Sequence, residues 1–211
     1  MTVPALSVAS LDRHFHICAF FNSREEEYDA LAPYYREGLE AGDKNLHIVA
    51  PAARDEHIAR LAASGIDTGE CLACGQLEVI GWDQAYLEQG RFDAHLMLAK
   101  VDALFGAGRD AGYARVRMMG NMQWAFAHAP GVDELVEYEA RVNDVLARNR
   151  QPAICVYDTA WLSGAMMMDI LRCHPATLVQ GVIRQNPFYV PPGELLPQFA
   201  ARKARQVSSW H

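Results

Sequence analysis

The sequence predicts an α/β domain: a mostly parallel sheet covered by helices. Three observations lead there. Short apolar segments alternate with helical ones along the chain, and strands separated by helices pair in parallel. No internal repeat or low-complexity linker interrupts the alternation. At 211 residues and 51% hydrophobic content, the chain can bury a substantial core as one domain.

The elements follow in order. "FHICAFF" (15–21) reads as a buried first strand. Tyr28, Leu31, Tyr35 and Leu39 then recur at helical spacing, and "EAGDK" ends that helix. Pro33 lies inside it and is expected to kink or restart it. "NLHIVAP" (45–51) is the second strand, and "RDEHIARLAASG" a helix that stops at Gly65. "LEVIGW" is a short strand. Asp93 can cap a helix carrying Leu96, Val101, Leu104 and Phe105. "ARVRMMGNM" (114–122) is a strand and loop. "DELVEYEARVNDVLAR" is the clearest amphipathic helix, with Leu135, Tyr138, Val142, Val145 and Leu146 on one face. "AICVYD" (153–158) is a strand and "GAMMMDILRCH" a helix. "ATLVQGVIRQ" is read as one last strand, and "NPFYVPPGELLPQF" as proline-rich and irregular.

Charge and cysteine usage exclude several classes. The net charge is −7 at pH 7, and basic residues are scattered except in "ARKARQ". Direct nucleic-acid binding is not expected, because phosphate neutralisation needs a basic face. No run reaches the ~20 apolar residues of a membrane span, and no secretory signal is visible, so a cytoplasmic location is expected. The five cysteines read as reduced thiols. Cys71 and Cys74 form half of a zinc-ribbon pattern with no second half.

Ligands of open parallel sheets sit at the carboxyl ends of the strands. There the first turn, "NSREEE", has no glycine and no lysine. A phosphate loop needs both, and three carboxylates repel a triphosphate. Ser23 and Glu26 fit a capping box, in which the glutamate reaches back to the N–H of Ser23. The other reading turns Glu26 into the crevice as a hydrogen-bond acceptor. His16 and Cys18 share a face of the first strand. Cys155 would be near Cys18 if the two strands are neighbours. Metal binding by His16, Cys18 and Cys155 competes with ordinary packing of buried thiols. His174, ending a helix in "CHP", suits the helix dipole. Phe20, Phe21, Trp124, Tyr157 and Trp161 could line an apolar pocket for a small organic ligand, or be core.

The run "HICAFFNSREEEYDALAPYYREGLEAGDKNLHIV" resembles the N-terminal part of the methanogen/methylotroph sensory domain family, MEDS. "YARVRMMGNMQW", "LVEYEARVN", "ICVYD", "ILRCHP" and "NPFYVPP" follow in the family's order. The resemblance implies a RecA/KaiC-like three-layer sandwich with "AICVYD" beside "FHICAFF". It places "SREEEY" where the Gly-Lys-Thr motif would be, and "RVRMMG" where a metal-binding carboxylate would be. It also implies a non-catalytic sensory role in signal transduction or transcription control, with small hydrocarbon derivatives as inputs.

The resulting division is a tail over 1–12, a sensory domain over 13–195 and a tail over 196–211. With no output module after the domain, a stand-alone sensor is expected, acting through a protein partner or a homo-oligomer. The expected ligand set is His16, Cys18, Phe20, Glu26, Trp124, Cys155, Tyr157 and His174. No cofactor and no metal is assigned. The alternatives are a degenerate nucleotide-binding protein and a metal- or redox-responsive module using Cys18, Cys155 and His16.

Overall fold

The computed structural model describes residues 16–127 and 129–208. The expected tail over 1–12 and the strand start at Phe15 lie outside the described residues. The strands are β1 (His16–Phe21), β2 (Lys44–Val49), β3 (Leu77–Gly81), β4 (Val116–Asn121), β5 (Ala153–Asp158), β6 (Ala176–Val179) and β7 (Val182–Gln185). The α-helices are α1 (Arg24–Glu40), α2 (Arg54–Ala63), α3 (Thr68–Ala73), α4 (Ala94–Asp110), α5 (Leu135–Asn149), α6 (Gly164–Cys173) and α7 (Pro192–Ser208).

Among the described residues the strands form one sheet in the order β3-β2-β4-β5-β1-β6-β7, parallel except for β7. Alternation along each strand sends side chains to two faces. On one face Cys18, Phe20, Leu46, Ile48, Met118 and Cys155 pack against apolar residues of α4, α5 and α6. On the other, Ile17, Ala19, Phe21, Val79, Ile154 and Val156 pack against Tyr28, Leu31 and Tyr34 of α1 and Leu61 of α2. Helix, sheet and helix thus make the three expected layers. β1 and β5 are neighbours, with Cys18 opposite Cys155 and Phe20 opposite Tyr157.

Local chemistry sets the helix starts. Ser23, Asp67, Asp93 and Ser163 each accept a hydrogen bond from a backbone N–H in the first turn of the helix they cap. Gly65, at φ +90°, follows α2 in the left-handed conformation that glycine adopts without a Cβ clash.

Three expectations change, and one helix is added. The single strand over "ATLVQGVIRQ" is a hairpin, because Gln180 and Gly181 both have positive φ and reverse the chain in two residues. The stretch read as irregular contains α7, which begins at Pro192 and continues as helix to Ser208. Proline tolerates a first helical turn, and Leu195 and Phe199, four apart, bury against Ala140 and Cys173. α3 was not foreseen. Finally, α1 does not restart at Pro33. Buried residues on both sides, Leu31 and Ala32 before and Tyr34 and Tyr35 after, tie it to the sheet and outweigh one lost hydrogen bond.

One buried cation fixes α1 to the sheet. Arg117 of β4 donates to Asp43 at 2.8 Å and to the carbonyl of Tyr34 at 2.7 Å. Its guanidinium carbon lies 4.4 Å from the centre of the Tyr34 ring. Gly38 makes room, since a Cβ there would fall 2.5 Å from the guanidinium. Arg117→Ala would leave Asp43 without its partner, and urea denaturation is expected to show a loss of about 3 kcal/mol.

Candidate functional site

The strand-end crevice lies over β1, β4 and β5, lined by residues that include Phe21, Ser23, Arg24, Glu27, Asn121 and Asp158. Its own side chains fill it. Arg24 donates to Glu27 at 3.0 Å and to the Tyr28 hydroxyl at 3.1 Å. The hollow left is about 10 Å³, room for roughly one water. Ser23 accepts from the Glu26 N–H at 3.2 Å, as a capping box requires. The return half differs: Glu26 accepts from the backbone N–H of Asn22, at 2.8 Å, rather than from that of Ser23. Glu26 is therefore committed to the helix cap.

A second constellation sits on the opposite side of β1, beneath α5 and the end of α6. His16 comes from β1, Cys155 from β5, Glu139 from α5, and His174 from the residue following α6. Each offers one ligand atom, and these four atoms lie within 4.8 Å of one another. Glu139 Oε2 is 3.2 Å from His16 Nε2 and 3.4 Å from His174 Nε2. Cys155 Sγ is 3.5 Å from His16 Nε2 and 3.6 Å from Glu139 Oε2. Tyr157 donates to the other carboxylate oxygen at 2.9 Å. All four residues are buried, Glu139 and His174 completely.

Outer contacts fix both imidazoles. His174 Nδ1 lies 2.7 Å from the Ile170 carbonyl, so it carries the proton and donates. Asn143 donates through Nδ2 to the carbonyls of Glu139, Ala140 and Cys173, which leaves Oδ1 to accept from His16 Nδ1 at 3.2 Å. Burial pushes both rings down to about 3, so both are neutral at pH 7. Each then presents a bare Nε2 lone pair to the Glu139 carboxyl. The Glu139 pKa is raised by burial, against the pull of His174, Tyr157 and Cys155. Burial, aided by Glu139, also raises the Cys155 thiol.

Three of the expected ligand residues, His16, Cys155 and His174, thus meet at one point. Tyr157 joins as a hydrogen-bond donor, and Phe20 stacks on it at 5.7 Å. The other expected residues do not join. Cys18 faces the same side as His16, but its thiol points to the Ala176 carbonyl at 3.6 Å. Trp124 is core, stacked on Tyr86 at 5.0 Å and tilted against Phe92 at 4.7 Å. Trp161 is 61% exposed, and Phe21 lies on the other sheet face, so the five-ring pocket does not form. Cys71 and Cys74 are free thiols on and just after α3.

The residue that reading by motif missed is Glu139. A signal existed: it stands four residues after Leu135 and three before Val142, on the apolar face of an amphipathic helix. A carboxylate there must be buried with partners.

With this geometry in view, comparison with known proteins adds three findings. The profile of the MEDS family, described as the methanogen/methylotroph, DcmR sensory domain, matches residues 15–175. The transcriptional repressor DcmR of Methylorubrum extorquens is 29% identical over 175 residues, covering 81% of this chain and 62% of the repressor. The match therefore spans less than two thirds of that relative's length. A KaiC-like protein from the hyperthermophilic archaeon Pyrococcus horikoshii shares the fold, with a TM-score of 0.54 at 13% identity over 78% of this chain and 69% of that one.

The crevice turn also has a pH signature. Burial raises Glu27 to about 7, although Arg24 pulls it down. A carboxyl raised in the folded state binds a proton that the unfolded chain has released, so its stabilisation is full below pH 4.5 and fades as pH rises through about 7. Glu27→Gln removes this slope. Relative to the wild type, the variant is expected to gain roughly 3 kcal/mol of stability between pH 4.5 and pH 8, read by urea denaturation at each pH.

Proposed function

Because the chain belongs to the MEDS sensory-domain family, we propose that it is a non-catalytic sensor that binds a small organic molecule. It passes that signal to a protein partner, or to a second copy of itself, in signal transduction or transcription control. The repressor relative supports the regulatory setting. Among the described residues, no helix is long and apolar enough to cross a membrane.

The observation that carries the non-catalytic reading is the filled strand-end crevice. A nucleotide-binding turn offers free backbone N–H groups to phosphate. Here the Asn22 N–H is taken by Glu26 and the Glu26 N–H by Ser23. The Arg24–Glu27 pair occupies what remains. These contacts support a reading in which the crevice does not hydrolyse a nucleoside triphosphate.

A better receptacle lies beyond the carboxyl end of β3. A hollow of about 320 Å³ opens between residues 85–93 and the start of α4, lined in part by Tyr86, Arg91, Leu96, Met97 and Lys100. Its size and mixed lining suit a small organic guest. Tyr86 stacks on Trp124, whose buried indole Nε1 has no hydrogen-bond partner. Ligand there would press on the aromatic core under α4 and α5. It transmits a signal only if it prefers one arrangement of that core to another.

Native mass spectrometry of protein purified from its own host is expected to show a co-purified small organic molecule. Leu96→Trp, which crowds the rim of the hollow, is expected to weaken its binding about tenfold or more. Titration with ATP and magnesium is expected to show no saturation. Saturable ATP binding with phosphate release would overturn the non-catalytic reading.

A further inference from the structure

We propose that His16, Glu139, Cys155 and His174 form a four-coordinate centre for a divalent metal ion of the zinc class. The inference stands apart from the organic-ligand reading and concerns a different part of the sheet.

The first ground is directional. His16 Nε2, His174 Nε2 and Glu139 Oε2 aim at one volume, and the tautomers fixed by Asn143 and the Ile170 carbonyl leave both nitrogens as lone-pair donors. His174 Nε2 is buried and has no hydrogen-bond partner. Facing lone pairs repel unless a cation or a proton lies between them.

The second ground is distance, which separates those two options. A proton shared between carboxyl oxygen and imidazole nitrogen draws the heavy atoms to about 2.7–2.9 Å. The observed separations are 3.2 and 3.4 Å, with sulfur at 3.5 and 3.6 Å. Tetrahedral zinc, with bonds of about 2.0–2.3 Å, sets neighbouring nitrogen and oxygen ligands about 3.4 Å apart and sulfur about 3.5–3.6 Å from either. Four of the six ligand-atom separations already have the spacing of a ligand shell, and all four atoms lie within 4.8 Å of one another.

The third ground is charge. Two neutral imidazoles, one thiolate and one carboxylate carry two negative charges, which a divalent ion cancels, so the buried unit becomes neutral. Binding releases the Cys155 thiol proton to solvent, and the Glu139 proton when that group is protonated. The outer shell is of the kind metal sites need: His16 on Asn143, His174 on a carbonyl, and Glu139 on Tyr157. Imidazole, thiolate and carboxylate in a tetrahedron favour zinc over the oxygen-seeking ions. With four protein ligands the site is closed, so it ties α5 and the end of α6 to β1 and β5 rather than activating water.

The test is elemental analysis of untagged protein, followed by cobalt reconstitution of reduced, chelator-treated protein. About one zinc per chain is expected, together with tetrahedral visible bands and a thiolate-to-cobalt charge-transfer band on adding Co²⁺. A Cys71→Ser/Cys74→Ser double variant is expected to retain metal and spectrum, whereas Cys155→Ser loses the charge-transfer band. Glu139→Gln, which keeps the shape, is expected to lower zinc affinity at least about tenfold. Should Cys155→Ser not fold, the charge-transfer band in the double variant still reads a thiolate outside the Cys71–Cys74 pair. Metal-free protein that gives no cobalt spectrum would overturn the proposal. So would a thiolate-to-cobalt charge-transfer band that survives in folded Cys155→Ser or disappears in the double variant.

Discussion

A carboxylate sealed under a β-sheet sets the central constraint of this molecule. Glu139 has no exposure to solvent, and its charge cannot be stabilised by water. Everything around it answers that problem. Tyr157 satisfies one oxygen, while two imidazoles and a thiol converge on the other. Four elements must be in register for this to happen, so the group acts as a check on the packing of α5 and α6 against β1 and β5.

The opposite face of the sheet handles buried polarity differently. Tyr28, His57 and His47 form a chain, with the Tyr28 hydroxyl 2.5 Å from His57 Nδ1 and His57 Nε2 2.8 Å from His47 Nδ1. Hydrogens can be shared along such a line, and its contacts are short. Around Glu139 the contacts are longer and radiate from one centre. The two faces therefore place histidines in chemically distinct settings, although both bury the rings enough to keep them neutral at pH 7.

The first turn has a structural consequence of its own. It carries a helix cap made by Ser23 and Glu26 and an ion pair between Arg24 and Glu27. These stiffen the start of α1, which Arg117 anchors near its other end. The space over β1 is thus nearly filled, and the larger open volumes lie elsewhere on the surface.

Much was legible in the sequence because it depends on neighbours along the chain. Alternation of strand and helix, the caps at Ser23 and Asp93 and the apolar face of α5 all follow from local residue types. The hairpin at Gln180–Gly181 was hidden because two short segments with β-branched residues, ATLV and VIRQ, read as one. α7 was hidden by its prolines: Pro192 sits in the first turn, where proline is tolerated, and burial of Leu195 and Phe199 offsets the interior Pro197. The site divides the same way. His16, Cys155 and His174 stood out as chemically able residues, but Glu139 looked like one more helical glutamate. Only strand order and helix packing could bring residues 16, 139, 155 and 174 to one point, or turn Cys18 and Trp124 aside. Residue types fix what a side chain can do; long-range packing decides what it meets, because burial and distance depend on segments far apart in the chain.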